Sequence, residues 1–116
     1  MNISILLPYK ENYSPTYPGA VSLFVDATSK ISSYKKDITI FGNTNFKKKL
    51  YGNYINIKLP KNNILKSQSS SYVNKFIDLQ DKVFSDIIEV HNRPNYILKL
   101  NLLKKKIVLY FHNDPI

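Results

Sequence analysis

Short apolar runs alternate with longer segments of mixed polarity along this chain. Four runs rich in β-branched and other apolar residues predict strands, over residues 3–7, 38–41, 86–90 and 107–111. The first and the last are nearly continuous, so we expect those two strands to be buried on both faces. Over residues 54–59 apolar and polar positions alternate and Pro60 follows, which predicts a further strand at an edge of the sheet.

Between the predicted strands, apolar residues recur every three or four positions, which predicts helices. The first helix opens at Gly19, and its predicted buried face carries Ala20, Leu23, Phe24, Ala27 and Ile31. The second is expected to take its N-cap from the serines at positions 69–71 and to end at Phe84 or Ser85. Pro94 suits the first turn of a third helix, whose apolar face carries Tyr96, Ile97, Leu100 and Leu103.

The alternation of strands and helices predicts an α/β fold of the Rossmann-like, doubly wound type. Right-handed crossovers join consecutive parallel strands, so about five strands should form a parallel sheet that is covered on both faces. We expect the strand order 3-2-1-4-5. Residues 1–116 fit one domain. Because no helix follows the last predicted strand, we expect the sequence to be cut from a longer chain.

The chain carries a formal net charge of +9, which favours contact with phospholipid headgroups, nucleic acid or phosphorylated substrates. The two dense lysine runs, residues 47–49 and 104–106, are expected to be solvated surface rather than a binding patch. With no cysteine, disulfides, cysteine–zinc sites and thiol nucleophiles are excluded. No apolar stretch approaches the roughly 20 residues of a membrane span and no signal-peptide layout opens the chain, so we expect it in the cytoplasm.

Polar residues follow three of the predicted strands at the edge where such sheets bind ligands. In doubly wound sheets, ligands lie outside the carboxyl ends of the strands, near the point where the strand order reverses. The order 3-2-1-4-5 makes the loops after strands one, four and five neighbours, which brings together His91, Asn92, Arg93, His112, Asn113 and Asp114. Histidine can position a sugar hydroxyl or a phosphate there, and arginine can pair with phosphate. Either histidine alone is equally well explained by a hydrogen bond that closes its loop.

Two further features of the sequence bear on this crevice. Gly19 lies at the start of the first helix, where backbone N–H groups and the positive helix end would accept a ligand phosphate. A turn with a positive φ explains this glycine equally well. Asp86 and Glu89 flank the fourth strand at an odd offset, which puts their side chains on opposite faces, so we expect no joint catalytic role for them.

Four segments of the chain resemble the N-terminal domain of the family-four glycosyltransferases. They are Ile5-Leu6-Leu7-Pro8, Pro18-Gly19-Ala20-Val21, Glu89-Val90-His91-Asn92-Arg93-Pro94 and Leu109-Tyr110-Phe111-His112-Asn113-Asp114-Pro115. The resemblance implies a GT-B enzyme of two facing Rossmann-like halves, of which this chain is the acceptor-binding half. It also implies a C-terminal half that binds the nucleotide-sugar donor, and sugar transfer that retains the anomeric configuration without a metal or other cofactor.

The same resemblance implies roles for individual residues. His112 is similar to the histidine that lies close to the transferred sugar, and it is the expected catalytic residue. Gly19 and Ala20 correspond to the glycines near the donor phosphates, although many relatives carry a second glycine at the position of Ala20. The expected donor or acceptor contacts are completed by His91, Asn92, Arg93, Asn113 and Asp114. Because the donor-binding half is absent, we expect the 116-residue chain alone to be inactive.

The resemblance also implies a cellular setting. Acceptors in this family are often glycans or lipid-linked sugars of cell-envelope polysaccharide and lipopolysaccharide, so association with the inner face of the cytoplasmic membrane is compatible with the enzyme. No nucleic-acid partner is expected of the transferase.

Other protein classes fit the sequence less well. A nucleotide-dependent dehydrogenase needs a G-x-G-x-x-G motif directly after the first strand, and a phospho-receiver module needs acidic residues at the strand ends. Neither pattern is present. The alternative that stays open is a non-catalytic binding module or remnant that docks on an anionic membrane or nucleic acid. Such a module would gather its lysines on one face.

Overall fold

Five strands form one parallel sheet in the computed structural model, which describes residues 1–60 and 67–112. The strands are β1 (Ile3–Leu6), β2 (Ile38–Gly42), β3 (Asn53–Asn56), β4 (Ile87–His91) and β5 (Lys106–Tyr110). Their order is β3-β2-β1-β4-β5, and every neighbouring pair is parallel. The predicted α/β class and strand order are therefore confirmed, and the fold is Rossmann-like.

Helices lie between β1 and β2, between β3 and β4 and between β4 and β5, whereas the described segment from β2 to β3 contains no helix. They are α1 (Ala20–Ile31), α2 (Gln68–Leu79) and α3 (Ile97–Leu100), with 3-10 turns over Lys35–Asp37, Pro94–Tyr96 and Asn101–Leu103. As predicted, Pro94 opens the first turn before α3, where its missing N–H removes no helical hydrogen bond.

The sheet separates two hydrophobic cores. Since successive strand residues point to opposite faces, Leu6 and Ile88 face α2 and α3, while Ile5 and Ile40 face α1. On the α2 side the rings of Phe41 and Phe76 meet edge to face, with their centroids 4.9 Å apart. The completely buried hydroxyl of Tyr72 donates to the carbonyl of Leu7 at 2.7 Å, which ties α2 to the carboxyl end of β1.

The buried face of α1 is nearly opposite to the predicted one. The helix buries Val21, Ser22, Val25 and Ser29, whereas Leu23 is 50% and Ile31 85% exposed. The reason lies outside the helix, because the Glu11 carboxylate accepts hydrogen bonds from both the backbone N–H and the hydroxyl of Ser22. These bonds turn the serine side of α1 toward the loop after β1. The predicted apolar face is left at the surface.

The second helix starts and ends earlier than predicted. Its N-cap is Ser67, whose hydroxyl accepts a hydrogen bond from the Ser70 N–H at 3.1 Å, and its last residue is Leu79. The segment before β4 has other partners, which pull it toward the start of β1. The backbone N–H of Asp86 donates to the carbonyl of Asn2 at 2.8 Å, and the Ser85 hydroxyl is hydrogen-bonded to that of Ser4. A helix that continued to Ser85 would break these contacts.

The edge strands differ from their predictions in length and burial. β3 lies at an edge, as predicted, but ends at Asn56 rather than at position 59. β5 was expected to be buried, yet it forms the opposite edge, and the side chains of Lys106 and Tyr110 are exposed. The prediction of burial was wrong because β5 has a neighbouring strand on one side only in the described sheet. The apolar run over residues 107–111 gives no information about the number of neighbouring strands.

Candidate active site

The two histidines meet at the carboxyl edge of the sheet, beside the point where the strand order reverses. His91 is the last residue of β4, and His112 follows β5 by two residues. The register pairs His91 with Tyr110, so the two parallel strands end side by side. The His91 Nδ1 atom lies 2.8 Å from the His112 Nε2 atom, which is hydrogen-bond distance. The predicted convergence of the histidines is confirmed.

Asn92 fixes the two strand ends to each other. Its backbone has a φ of 56°, a left-handed conformation that asparagine tolerates better than most residues. In this conformation its N–H donates to the carbonyl of Tyr110 at 2.8 Å, and its side-chain Oδ1 accepts from the His112 N–H at 2.7 Å. Asn92 therefore positions His112, and its side-chain oxygen is already engaged within the protein.

Aromatic rings hold both imidazoles in place. The Tyr110 ring stacks on His91 with 5.0 Å between centroids and 7° between planes. Phe24, from the exposed side of α1, meets the His112 ring edge-on at 4.8 Å. His91 is only 1% exposed, while His112 is half-buried. Of the two imidazoles, His112 is thus the one that a ligand in the crevice can reach.

Glu89 extends the histidine pair into a row of three titratable groups. It lies two residues before His91 in β4, so both side chains point to the same face of the sheet. The Glu89 Oε2 atom is 3.5 Å from His91 Nε2, a buried nitrogen that makes no hydrogen bond to any described residue. From the sequence, Glu89 was expected to have no joint role with Asp86, and its contact with His91 was not predicted. The even spacing of Glu89 and His91 was the signal that could have shown it.

This row determines which nitrogen of His112 is free. A carboxylate beside His91 Nε2 favours the tautomer with the proton on that atom, which leaves Nδ1 as an acceptor for the His112 Nε2–H. The Nδ1 atom of His112 then carries a lone pair and has no partner among the described residues. Burial lowers the pKa of His112, the electrostatic interaction with His91 lowers it further, and Glu11 opposes the shift. The geometry therefore presents a neutral imidazole that accepts a hydrogen bond.

The positive end of α1 is occupied by a side chain of the protein itself. The Glu11 Oε2 atom accepts from the Ser22 N–H at 3.0 Å and from the Ser22 hydroxyl at 2.7 Å. A Cβ atom at Gly19 would lie 1.9 Å from that same oxygen, so the carboxylate needs a glycine there. Gly19 has a φ of −75°, which means that the alternative of a positive-φ turn was wrong. The carboxylate takes the place that was expected for a ligand phosphate.

The other predicted site residues lie at the margin of the crevice or outside the described residues. Arg93 is exposed, and its Nη1 donates to the Asn92 carbonyl at 2.8 Å. Ala20 is an exposed residue in the first turn of α1. Asn113 and Asp114 lie outside the residues that the structure describes. Direct ligand contact by any of the four stays a prediction.

Within residues 1–60 and 67–112, no three side chains of the metal-binding types converge in a way that would hold a metal ion. No helix of the same residues is long and apolar enough to cross a membrane. Comparison of the chain with known protein families, curated protein sequences and solved structures found no match.

Proposed function

We propose that this chain is the acceptor-side half of a retaining glycosyltransferase that uses a nucleotide-sugar donor and acts together with a donor-binding domain. The observation that carries the proposal is the row of Glu89, His91 and His112, whose two histidines lie at the carboxyl edge of a Rossmann-like sheet. It lies at the position where doubly wound sheets bind ligands. The four sequence segments that resemble family-four glycosyltransferases support the same function.

In this proposal His112 positions a sugar hydroxyl. Its Nδ1 atom accepts the hydroxyl proton in a hydrogen bond, while Glu89 and His91 keep the imidazole in the correct tautomer. The lowered pKa favours the neutral ring, since a protonated imidazole would have no acceptor to offer. In many enzymes a catalytic base is likewise oriented by a third group.

The helix start at Gly19 contributes to donor binding only if the Glu11 carboxylate moves away. A phosphate and this carboxylate would compete for the same N–H groups, and two anions at one site repel each other. Arg93 has an exposed guanidinium and is a candidate phosphate ligand that needs no such movement.

The experiment that tests this function starts from the gene. The reading frame is sequenced past the codon for Ile116, and the product of the whole frame is assayed for transfer from a panel of UDP- and GDP-sugars to envelope glycans and lipid-linked acceptors. We expect a second Rossmann-like domain and transfer with retained anomeric configuration. A stop codon directly after Ile116, or an intact product that transfers no sugar, would contradict the proposal.

A non-catalytic module that docks on an anionic surface is the second candidate. The observation in its favour is a group of lysines at the carboxyl edge of β2 and β3, although Lys35 and Lys36 lie at the opposite edge. Sedimentation with anionic and neutral lipid vesicles separates the two functions. Vesicle binding that falls steeply with salt, together with the absence of transfer, would favour the module. The same assay tests peripheral association of the transferase with the cytoplasmic membrane.

A further inference from the structure

A polar groove of about 480 Å³ lies at the carboxyl ends of β2 and β3, apart from the histidine crevice. Its lining is formed by Asn56, the last residue of β3, and by residues that follow the two strands, among them Asn43, Phe46, Lys47, Lys49 and Lys58. A second hollow of about 320 Å³ shares four of these residues and adds Lys10 and Asn12 from the loop after β1. The groove thus runs from the edge of the sheet toward its centre.

The charge of the groove has one sign. Lys10, Lys47, Lys49 and Lys58 line the two hollows, and no carboxylate is among their lining residues. Lys47 and Lys58 are exposed and form no side-chain hydrogen bond or ion pair with any described residue. An unpaired ammonium group beside a concave surface attracts an anionic ligand.

Two asparagines present preformed hydrogen-bonding groups in the same groove. Asn56 Oδ1 accepts from the Thr44 N–H and from the Tyr54 hydroxyl, both at 2.9 Å, which fixes the side-chain amide. Asn43 Nδ2 donates to the carbonyl of Ile57 at 2.8 Å. The Asn56 amide N–H groups and the Asn43 Oδ1 are left without partners among the described residues. Both asparagines line the groove, so these amide N–H groups and this carbonyl oxygen are available to a ligand.

An aromatic ring completes the lining. Phe46 is 39% exposed, and its ring is tilted against the highly exposed Tyr17 ring with 6.4 Å between centroids. Amide groups that bind hydroxyls, an aromatic ring that packs on an apolar ring face and lysines that bind an acid are together the chemistry that recognises a charged sugar.

We propose that this groove binds an anionic oligosaccharide, whose carboxylate or phosphate contacts Lys47 and Lys58 and whose hydroxyls bind Asn43 and Asn56. The inference rests on the proposed function, in which this ligand is the acceptor. The groove and the histidine pair are separated by three strand spacings, or roughly 14 Å. Because one sugar ring is shorter than this distance, the acidic sugar lies at least one residue away from the hydroxyl that His112 contacts.

The test is calorimetric titration of the 116-residue chain with trigalacturonate, its neutral methyl ester and glucose 6-phosphate. The variant K47Q/K58Q removes two groove charges, and the matched control K35Q/K36Q removes two charges at the opposite edge of the sheet. We expect an anionic sugar to bind at least about tenfold more tightly than the neutral ester, since hydrogen bonds to charged groups are the stronger ones. K47Q/K58Q should lose about tenfold or more in affinity and K35Q/K36Q less than about twofold.

The inference is overturned if the neutral ester binds as tightly as trigalacturonate, if neither acidic sugar binds, or if both double variants lose affinity equally. Tighter binding of a single-stranded DNA oligonucleotide than of either sugar would also overturn it. The outcome is separable from that of the proposed function. Groove binding without sugar transfer by the whole gene product contradicts the transferase alone, whereas transfer whose KM is unchanged by K47Q/K58Q contradicts the groove assignment alone.

Discussion

The Nδ1 atom of His91 and the Nε2 atom of His112 face each other at 2.8 Å, so one proton lies between the two imidazoles. If both rings were doubly protonated, two N–H donors would point at each other and the hydrogen bond would be lost. The Glu89 carboxylate lies beside the other ring nitrogen of His91, Nε2. The contact between the imidazoles couples the tautomers of the two rings.

The first prediction concerns pH. Burial, followed by the electrostatic interaction with His91, lowers the pKa of His112 from its ordinary value of 6.5. The unfolded chain then binds more protons than the folded chain between the lowered pKa and about pH 6.5, so stability present at higher pH is lost as the pH falls through this window. When the pH is lowered from about 7.5 to the folded-state pKa of His112, we expect the urea midpoint to decrease more for the wild type than for His112→Asn. An equal decrease in both proteins would show that the folded pKa of His112 is not lowered.

The second prediction concerns Glu11 and Gly19. Glu11→Ala removes the cap of α1 and is expected to cost about 1 kcal/mol in the free energy of unfolding. Gly19→Ala should cost about the same, because its new Cβ displaces the Glu11 carboxylate, which is the nearest group to that position. The double variant should then cost no more than either single one. Urea denaturation of all three measures this, and additive losses would mean that the two positions are not coupled.

The third prediction tests which face of α1 is buried. Val25 is completely buried and Ile31 is 85% exposed. Val25→Ala removes two buried methyl groups and should cost about 2 kcal/mol in the free energy of unfolding. Ile31→Ala should change it by less than about 0.5 kcal/mol. The reverse ranking in denaturant titrations would place the predicted apolar stripe in the core.

The fourth prediction concerns the buried hydroxyl of Tyr72. It donates to the carbonyl of Leu7 at 2.7 Å, and Phe41 O lies within 3.3 Å. Tyr72→Phe leaves the Leu7 carbonyl without this donor and should cost about 1–2 kcal/mol. The matched control is Tyr34→Phe at a surface ring, for which we expect less than about 0.5 kcal/mol. Equal effects of the two substitutions would remove this role from the hydroxyl.

The strand order was predictable because it depends on local signals. Short apolar runs alternate with segments whose apolar residues recur at helical spacing, and this pattern predicts a parallel sheet. The rule that crossovers are right-handed then leaves few possible strand orders. The meeting of His91 and His112 then followed from strand ends that must lie side by side. The contact of Glu89 with His91 was readable as well, since both lie on one face of β4.

The orientation of α1 was not predictable from local spacing. The helix has two sides that carry apolar residues, and the choice between them depends on Ser22, whose partner Glu11 lies in the preceding loop. Likewise, the end of α2 is set by contacts of the following segment with Ser4 and Asn2 at the start of the chain. Pairings of this kind connect distant or irregular segments, and no periodic pattern reports them.

The most direct measurement of the proposed function is the kcat/KM of sugar transfer by the product of the whole reading frame, with His112 intact and with His112→Ala. We predict transfer by the wild type and a loss of about 100-fold or more in the variant, assayed at about pH 7.5 after urea denaturation has shown that the variant is still folded there. This pH lies above the window in which protonation of His112 lowers the stability of the fold. A stable variant that keeps the wild-type kcat/KM, or a wild type that transfers no sugar, would contradict the assignment of this histidine to a glycosyltransferase site.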